Sequence, residues 1–229
     1  MDIRAQKAFA WSGPVSMFMF AIAAYIAGFL PPPSPGASAE QIASIYRANG
    51  SSICAGGILV MLSTAPFLLF IAVLSAQLKR IEGNGRTFTY AQLAAGTASM
   101  TPIILIPLVW CVAAFRPERS AEFIQAFNDL GFITQVMVTP PAMAQVLVVG
   151  LAILSDKSAR PIFPRWLGYV SVLCAIADLP GLLCVLYKTG PFAWNGIIAG
   201  ALPSLAFFPW VILMAVMLTK AIKQQEAEG

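Results

Sequence analysis

Six apolar stretches, each long enough to cross a lipid bilayer, constrain this sequence more than any other feature. They lie near residues 8–30, 51–76, 88–115, 131–155, 166–187 and 197–219. About 20 apolar residues in a helix span the roughly 30 Å hydrocarbon core of a bilayer. The stretches lack the period-2 alternation of barrel strands, so helices must satisfy their backbone polar groups. The sequence therefore predicts an all-α, polytopic membrane helix bundle with six transmembrane helices in one domain, 1–229.

The composition excludes a soluble globular domain. Of the 229 residues, 59% are hydrophobic and 10% are charged, whereas a typical soluble domain has about 25% charged residues. So few charges cannot cover the surface of a soluble fold of this size. The net charge of +4 does not indicate a nucleic-acid partner. Most of the Lys and Arg residues lie in the loops on one side of the predicted bundle, and membrane topology explains that enrichment.

That distribution predicts the orientation. Lys and Arg are enriched in cytoplasmic loops, and the side with both termini carries ten of the fourteen, namely Arg4, Lys7, Lys79, Arg80, Arg86, Lys157, Arg160, Arg165, Lys220 and Lys223. The opposite side carries Arg47, Arg116, Arg119 and Lys188. We therefore expect both termini to be cytoplasmic and the basic loops to contact membrane lipids.

Two further segments on the outer side have the pattern of amphipathic helices. Residues 38–49 place Ile42 and Tyr46 on one stripe behind Ser38, a candidate cap, and residues 117–131 place Phe123 and Phe127 on another. Such segments are typical of interfacial helices. They predict either a lid resting on the bundle or the edge of a lateral entrance for a lipophilic molecule.

Histidine is absent from the sequence, and its four cysteines lie within or beside the spans. The absence of histidine removes most of the usual ligand sets of haem, zinc, copper and di-iron centres. We predict no metal and no cofactor. The commonest general base is missing as well.

Each predicted span contains a proline close to a small polar or acidic residue. A proline inside a helix frees the carbonyl four residues earlier, and Ser or Thr hydroxyls can satisfy that group in lipid. Five polar residues also fall at a common depth of about 15 to 22 Å, at 1.5 Å per residue from the inner boundaries. They are Thr64, Thr101, Gln145, Asp178 and Ser204. A site near the midplane and a purely structural polar layer both explain this pattern.

Asp178 is the one charged residue well inside a predicted span. The following Leu179-Pro180-Gly181 predicts a discontinuous helix, and Asp178 is then a cap for its second half. A second hypothesis makes it a ligand or proton site, and a third a contact between helices. A protonated Asp178 would donate to Gln145, to Thr101 or to the freed carbonyl of Ile176.

Three functions follow as hypotheses. In the first, the protein binds a lipophilic molecule (a sterol, terpenoid or lipid) in a midplane cavity, with Asp178 as an acid for isomerisation or cyclisation. The second is a proton-coupled carrier of an apolar substrate, for which a homo-oligomer would be suitable. The third is a non-catalytic subunit of a larger membrane complex. The candidate ligand-binding residues are Gln145, Thr101, Thr64, Ser204, Trp210, Phe207 and Phe208.

Four stretches together carry a resemblance to known sequences: FLPPPSPGASAEQIASIYRANG (29–50), VWCVAAFRPERSAE (109–122), RPIFPRWLGY (160–169) and KTGPFAWNG (188–196). With them, the chain resembles an uncharacterised group of small six-span bacterial integral membrane proteins over most of its length. The resemblance implies the six-span topology and a location in a bacterial inner (plasma) membrane. The resemblance implies no activity and identifies no catalytic residue.

Overall fold

The computed structural model describes residues 2–228, which form helices, turns and irregular connections. The α-helices are α1 (Ile3–Ile26), α2 (Ala39–Glu82), α3 (Thr87–Phe115), α4 (Ala121–Met137), α5 (Pro140–Ser155), α6 (Arg165–Ala177) and α7 (Leu202–Glu228). A 3₁₀ helix (Leu179–Leu186) and a π-helical turn (Ile197–Ala201) lie between α6 and α7.

Six helical units are long and apolar enough to span a membrane. They are Ile3–Ile26, Ala39–Glu82, Thr87–Phe115, Ala121–Ser155, Arg165–Leu186 and Ile197–Ala227. The prediction of an all-α bundle with six spanning helices is confirmed. α2 packs against both α1 and α3, and α5 packs against α3 and α6.

The first outer segment forms the beginning of α2. Ser38 accepts a hydrogen bond from the backbone N–H of Gln41, whose side chain accepts one from the backbone N–H of Ser38. This capping box fixes the helix start. Ile42 and Tyr46 are buried as the stripe predicts, and the helix kinks at Asn49 before it continues through the bundle.

The second outer segment has a different boundary from the predicted one. We expected the amphipathic helix to end near residue 131, but α4 runs on to Met137. The break lies at Val138 and Thr139, because Pro140 and Pro141 occupy the first turn of α5. Proline lacks a backbone N–H and is tolerated in a first turn, where that donor has no helical partner.

The discontinuity predicted at Asp178 is present. α6 ends at Ala177, and the chain continues from Leu179 as a 3₁₀ helix. The backbone N–H of Gly181 donates to the carbonyl of Asp178 at 3.1 Å. The fifth span therefore consists of two helical pieces that meet at its acidic residue.

Two apolar cores fill the bundle. The first core, at the end that carries both termini, includes Phe70, Leu78 and Leu218. The second core, at the opposite end, contains an aromatic cluster in which Phe29 lies 4.7 Å from Trp110, measured between ring centroids. The aromatic members are Phe29, Tyr46, Trp110, Phe132 and Trp194. Ile103 packs against both cores.

The connection between α5 and α6 is held by Asp156. Its carboxylate accepts hydrogen bonds from the backbone N–H groups of Ser158 at 2.9 Å and of Ile162 at 3.1 Å. Burial raises the pKa of Asp156, but the hydrogen bonds from Ser158 and Ile162 outweigh burial and hold that pKa below its usual range. The carboxylate orders a loop that is otherwise exposed.

Candidate functional site

A cavity of about 150 Å³ lies between the two cores, and all six spanning units contribute to its wall. Phe67 and Met100 of the wall belong to the first core, whereas Ile103 of the wall packs against both. Two breaks in the helices also reach the wall, at Val138–Thr139 and at Asp178. The cavity thus forms where the spanning helices are interrupted.

Five of the eight residues predicted for the site line this cavity. They are Thr64, Asp178, Ser204, Phe207 and Phe208. These residues come from α2, from the break after α6 and from the first turns of α7. Part of the predicted polar layer therefore lines one cavity, to which three distant parts of the sequence contribute.

The other three predicted residues lie elsewhere. Thr101 is exposed on the outside of the bundle. Gln145 is fully buried behind the wall, where its Oε1 atom lies 3.4 Å from the Ser99 hydroxyl. Trp210 also stands behind the wall: its indole N–H donates to the Ser171 hydroxyl at 2.9 Å.

These three corrections have one physical cause. The rise per residue fixes how deep a side chain lies, but the rotation of a helix about its axis decides which way that side chain points. On α3 the polar side chain that reaches the cavity is that of Ser99, two residues before the exposed Thr101. Trp210 still supports the site indirectly, because its ring stacks on Phe207 with 5.7 Å between centroids.

Asp178 is 3% exposed and has the most unusual surroundings in the cavity. Its carboxylate forms no hydrogen bond or ion pair with any of residues 2–228, and it makes no side-chain cap contact with the 3₁₀ helix that follows. The cap hypothesis is therefore wrong, and the predicted contacts with Gln145, Thr101 and the Ile176 carbonyl are not formed. A polar group this deeply buried is costly without a partner.

Several wall residues escaped the sequence prediction. The polar ones are Ser16, Ser63, Ser99, Gln135 and Thr139. Ser63 adjoins Thr64. Ser99 lies one helical turn after Gly96, and the missing side chain of Gly96 allows Gln145 to approach closely. Small polar residues beside glycine or proline within a span were the available signal.

The hydroxyl groups do not satisfy the carbonyls that the prolines free. Pro66 frees the carbonyl of Leu62, but the Thr64 hydroxyl donates to the carbonyl of Met61 at 2.7 Å. Likewise, Pro14 frees the carbonyl of Ala10, but the Ser12 hydroxyl donates to the carbonyl of Phe9. The proposed healing of kinks by hydroxyls does not explain the polar layer.

The wall offers binding groups rather than a set of catalytic partners. Among residues 2–228, no three His, Cys, Asp or Glu residues come together in a way that could hold a metal ion. Asp178 is the one acidic side chain on the wall, and most other wall residues are apolar or carry hydroxyls. This arrangement can hold the polar end of an otherwise apolar molecule.

Comparison with known proteins adds no relative. The chain matches no protein-family model, and neither the curated proteins nor the solved structures include a similar one. Any function must therefore be argued from the geometry of the cavity.

Proposed function

We propose that this protein binds a lipophilic small molecule in the cavity between its two cores. The observation that carries the proposal is Asp178, which is buried without a partner on the wall of a largely apolar cavity. Ionisable residues inside membrane spans are rare and costly, and such a residue indicates a functional site. A bound ligand would supply the missing partner.

The size of the cavity supports a ligand that enters with one end. An enclosed space of about 150 Å³ holds a molecule the size of benzene. Val138 and Ser204 on the wall are exposed, so the cavity has an opening to the surroundings of the bundle. A ring-sized part of a sterol, terpenoid or lipid fits inside while its remainder extends through this opening.

The setting is part of the same proposal. The excess of Lys and Arg on the side of both termini supports cytoplasmic termini, and the bacterial inner membrane follows from the resemblance to small six-span bacterial proteins. Membrane lipids are then the immediate partners of the chain. The ligand reaches the cavity from within the bilayer.

A second candidate function is a proton-coupled carrier, favoured by the interrupted helices. Discontinuous spans next to a midplane cavity are typical of transporters, where the breaks act as hinges. The break at Val138–Thr139 and the break at Asp178 face the same cavity. Acid-catalysed isomerisation or cyclisation would also use Asp178, as the acid.

Native mass spectrometry of the protein extracted in mild detergent tests the binding function. We expect a population that carries an extra mass of an apolar compound. Thr64→Phe should remove this population, because a phenyl ring fills a cavity of this size. Thr97→Phe is the matched control: Thr97 is exposed on α3, and its hydroxyl also donates to a carbonyl of its own helix, at 2.8 Å.

Loss of the bound mass in Thr64→Phe but not in Thr97→Phe would support the cavity as the binding site. A bare wild-type chain, or a bound mass that both variants retain, would contradict it. A chain recovered solely together with a second protein would instead favour the subunit hypothesis. The carrier differs from the binding protein in needing an ion gradient for uptake into vesicles.

A further inference from the structure

The wall of the cavity presents hydrogen-bond acceptors. Four hydroxyl groups on it donate their single proton to backbone carbonyl oxygens at 2.6 to 2.7 Å, and they belong to Ser16, Ser63, Thr64 and Ser99. A hydroxyl has one proton and two lone pairs. Once the proton is committed to a carbonyl, the hydroxyl can offer a ligand nothing but acceptor sites.

Two further groups extend this acceptor character. The buried Oε1 atom of Gln135, on the wall, has no partner among residues 2–228. The Asp178 carboxylate, also on the wall, has none either. Neither Lys nor Arg is among the described residues that line the cavity. The negative potential of the acceptors is therefore not balanced by a cation from the wall.

Aromatic rings form much of the remaining wall. Phe20 and Phe208 make an edge-to-face pair with 6.3 Å between ring centroids, and Phe67 and Phe207 lie 6.1 Å apart. The faces of aromatic rings attract cations, most strongly where water is excluded. These four rings are thus compatible both with an apolar body and with a positive charge close to it.

We propose that the ligand of this cavity is a lipophilic ammonium compound, whose protonated amine pairs with Asp178 while its apolar body lies among the phenylalanine rings. This inference rests on the proposed function, because it names the ligand class of the same site. A neutral hydrocarbon would leave the carboxylate and the acceptor groups without partners, and a sterol hydroxyl would supply one donor and no charge. A protonated amine supplies a positive charge, which the wall lacks, and several N–H donors for the carboxylate and the hydroxyl acceptors.

Two isosteric probes test the ligand class. The first is 2-phenylethylammonium, and the second is propylbenzene, which has the same number of heavy atoms and no charge. Binding is measured by equilibrium dialysis of the protein in lipid nanodiscs at neutral pH, with empty nanodiscs as the correction for partitioning into lipid. We expect the ammonium probe to bind about 10-fold to 100-fold more tightly than propylbenzene, as a hydrogen-bonded charge pair allows.

Two variants locate the effect. Asp178→Asn should lose the advantage of the ammonium probe and still bind propylbenzene, which shows that the variant is folded with its cavity intact. Asp129→Asn is the matched control: Asp129 lies on α4 away from the cavity, and its carboxylate already accepts a hydrogen bond from Asn128 at 3.1 Å. It should leave the affinity for both probes unchanged.

Equal binding of the two probes to the wild type, or an ammonium preference that survives in Asp178→Asn, would overturn the inference. Propylbenzene binding that Thr64→Phe abolishes would still support the cavity as a lipophilic site. If neither probe binds above the empty-nanodisc level, both the inference and the proposed function are wrong.

Discussion

Replacing Asp178 by leucine should stabilise the ligand-free protein. Asp178 is 3% exposed as a residue and its carboxyl is unpartnered within the described chain, so folding leaves a largely buried polar group without a hydrogen bond. That burial costs about 1 to 3 kcal/mol. An apolar side chain of similar volume removes the cost, and the methyl groups of leucine meet the apolar part of the wall.

The expected shift in melting temperature follows from the size of the chain. One kcal/mol corresponds to about 2 to 4 °C for a protein of 150 to 250 residues. For Asp178→Leu we therefore predict a rise of about 2 to 12 °C. Tryptophan fluorescence of delipidated protein in detergent during a thermal ramp measures it, since bound ligand would stabilise the wild type and hide the effect.

Asp129→Leu is the control for this measurement. Asp129 is half-buried and accepts a hydrogen bond from the buried Asn128. It lies in a spanning unit, as Asp178 does. Its replacement leaves that donor without its partner, so the melting temperature should fall. If the melting temperature of Asp178→Leu falls as well, the Asp178 carboxyl stabilises the fold, and its interpretation as an unpaired site residue is wrong.

Three further predictions concern the packing and the loops. Gly131→Ala should lower the melting temperature and alter tryptophan fluorescence, because a Cβ atom there would clash with the Trp110 ring and overpacking costs about 1 to 3 kcal/mol; an unchanged spectrum would contradict this. Gly150→Ala should also destabilise, since its Cβ would lie 2.9 Å from the carbonyl oxygen of Gly168 where α5 and α6 meet; a melting temperature equal to the wild type would refute that contact. The loop after Asp156 should be protected from hydrogen exchange above about pH 4, and this protection should be lost as the pH falls through the lowered pKa of the Asp156 carboxyl. Asp156→Ala should lack the protection at every pH. Identical hydrogen exchange in the wild type and the variant would exclude a role of Asp156 in ordering the loop.

The spans and the break in the fifth span were predictable from the sequence because each depends on local chemistry. Apolar length sets the spans, and the Pro180-Gly181 pair after Asp178 interrupts the helix. The break before α5 was predictable as well, since Pro140 and Pro141 must begin a helix, but the outer segment was assigned a boundary at 131 from its amphipathic pattern alone. In the structure α4 packs against α2 and α3 and runs on to Met137.

The sequence predicted how deep the cavity residues lie in the bundle. It did not predict which side chains point toward the cavity. Thr64 and Ser204 lie on its wall as expected, whereas Thr101 points outward from the same level. Helix rotation depends on contacts between distant parts of the chain, which a single sequence does not reveal. The missing partner of Asp178 belongs to the same category, because the absence of a contact is a property of the whole bundle.

The occupancy of the cavity in a lipid environment decides whether this protein is a binding protein. A crystal structure grown from a lipidic mesophase would show it, provided that the protein is purified without harsh delipidation. We predict continuous non-protein density beside the Asp178 carboxylate and against the rings of Phe67 and Phe207. A cavity closed by these rings, with the carboxylate paired to another side chain of the protein, would contradict the proposal.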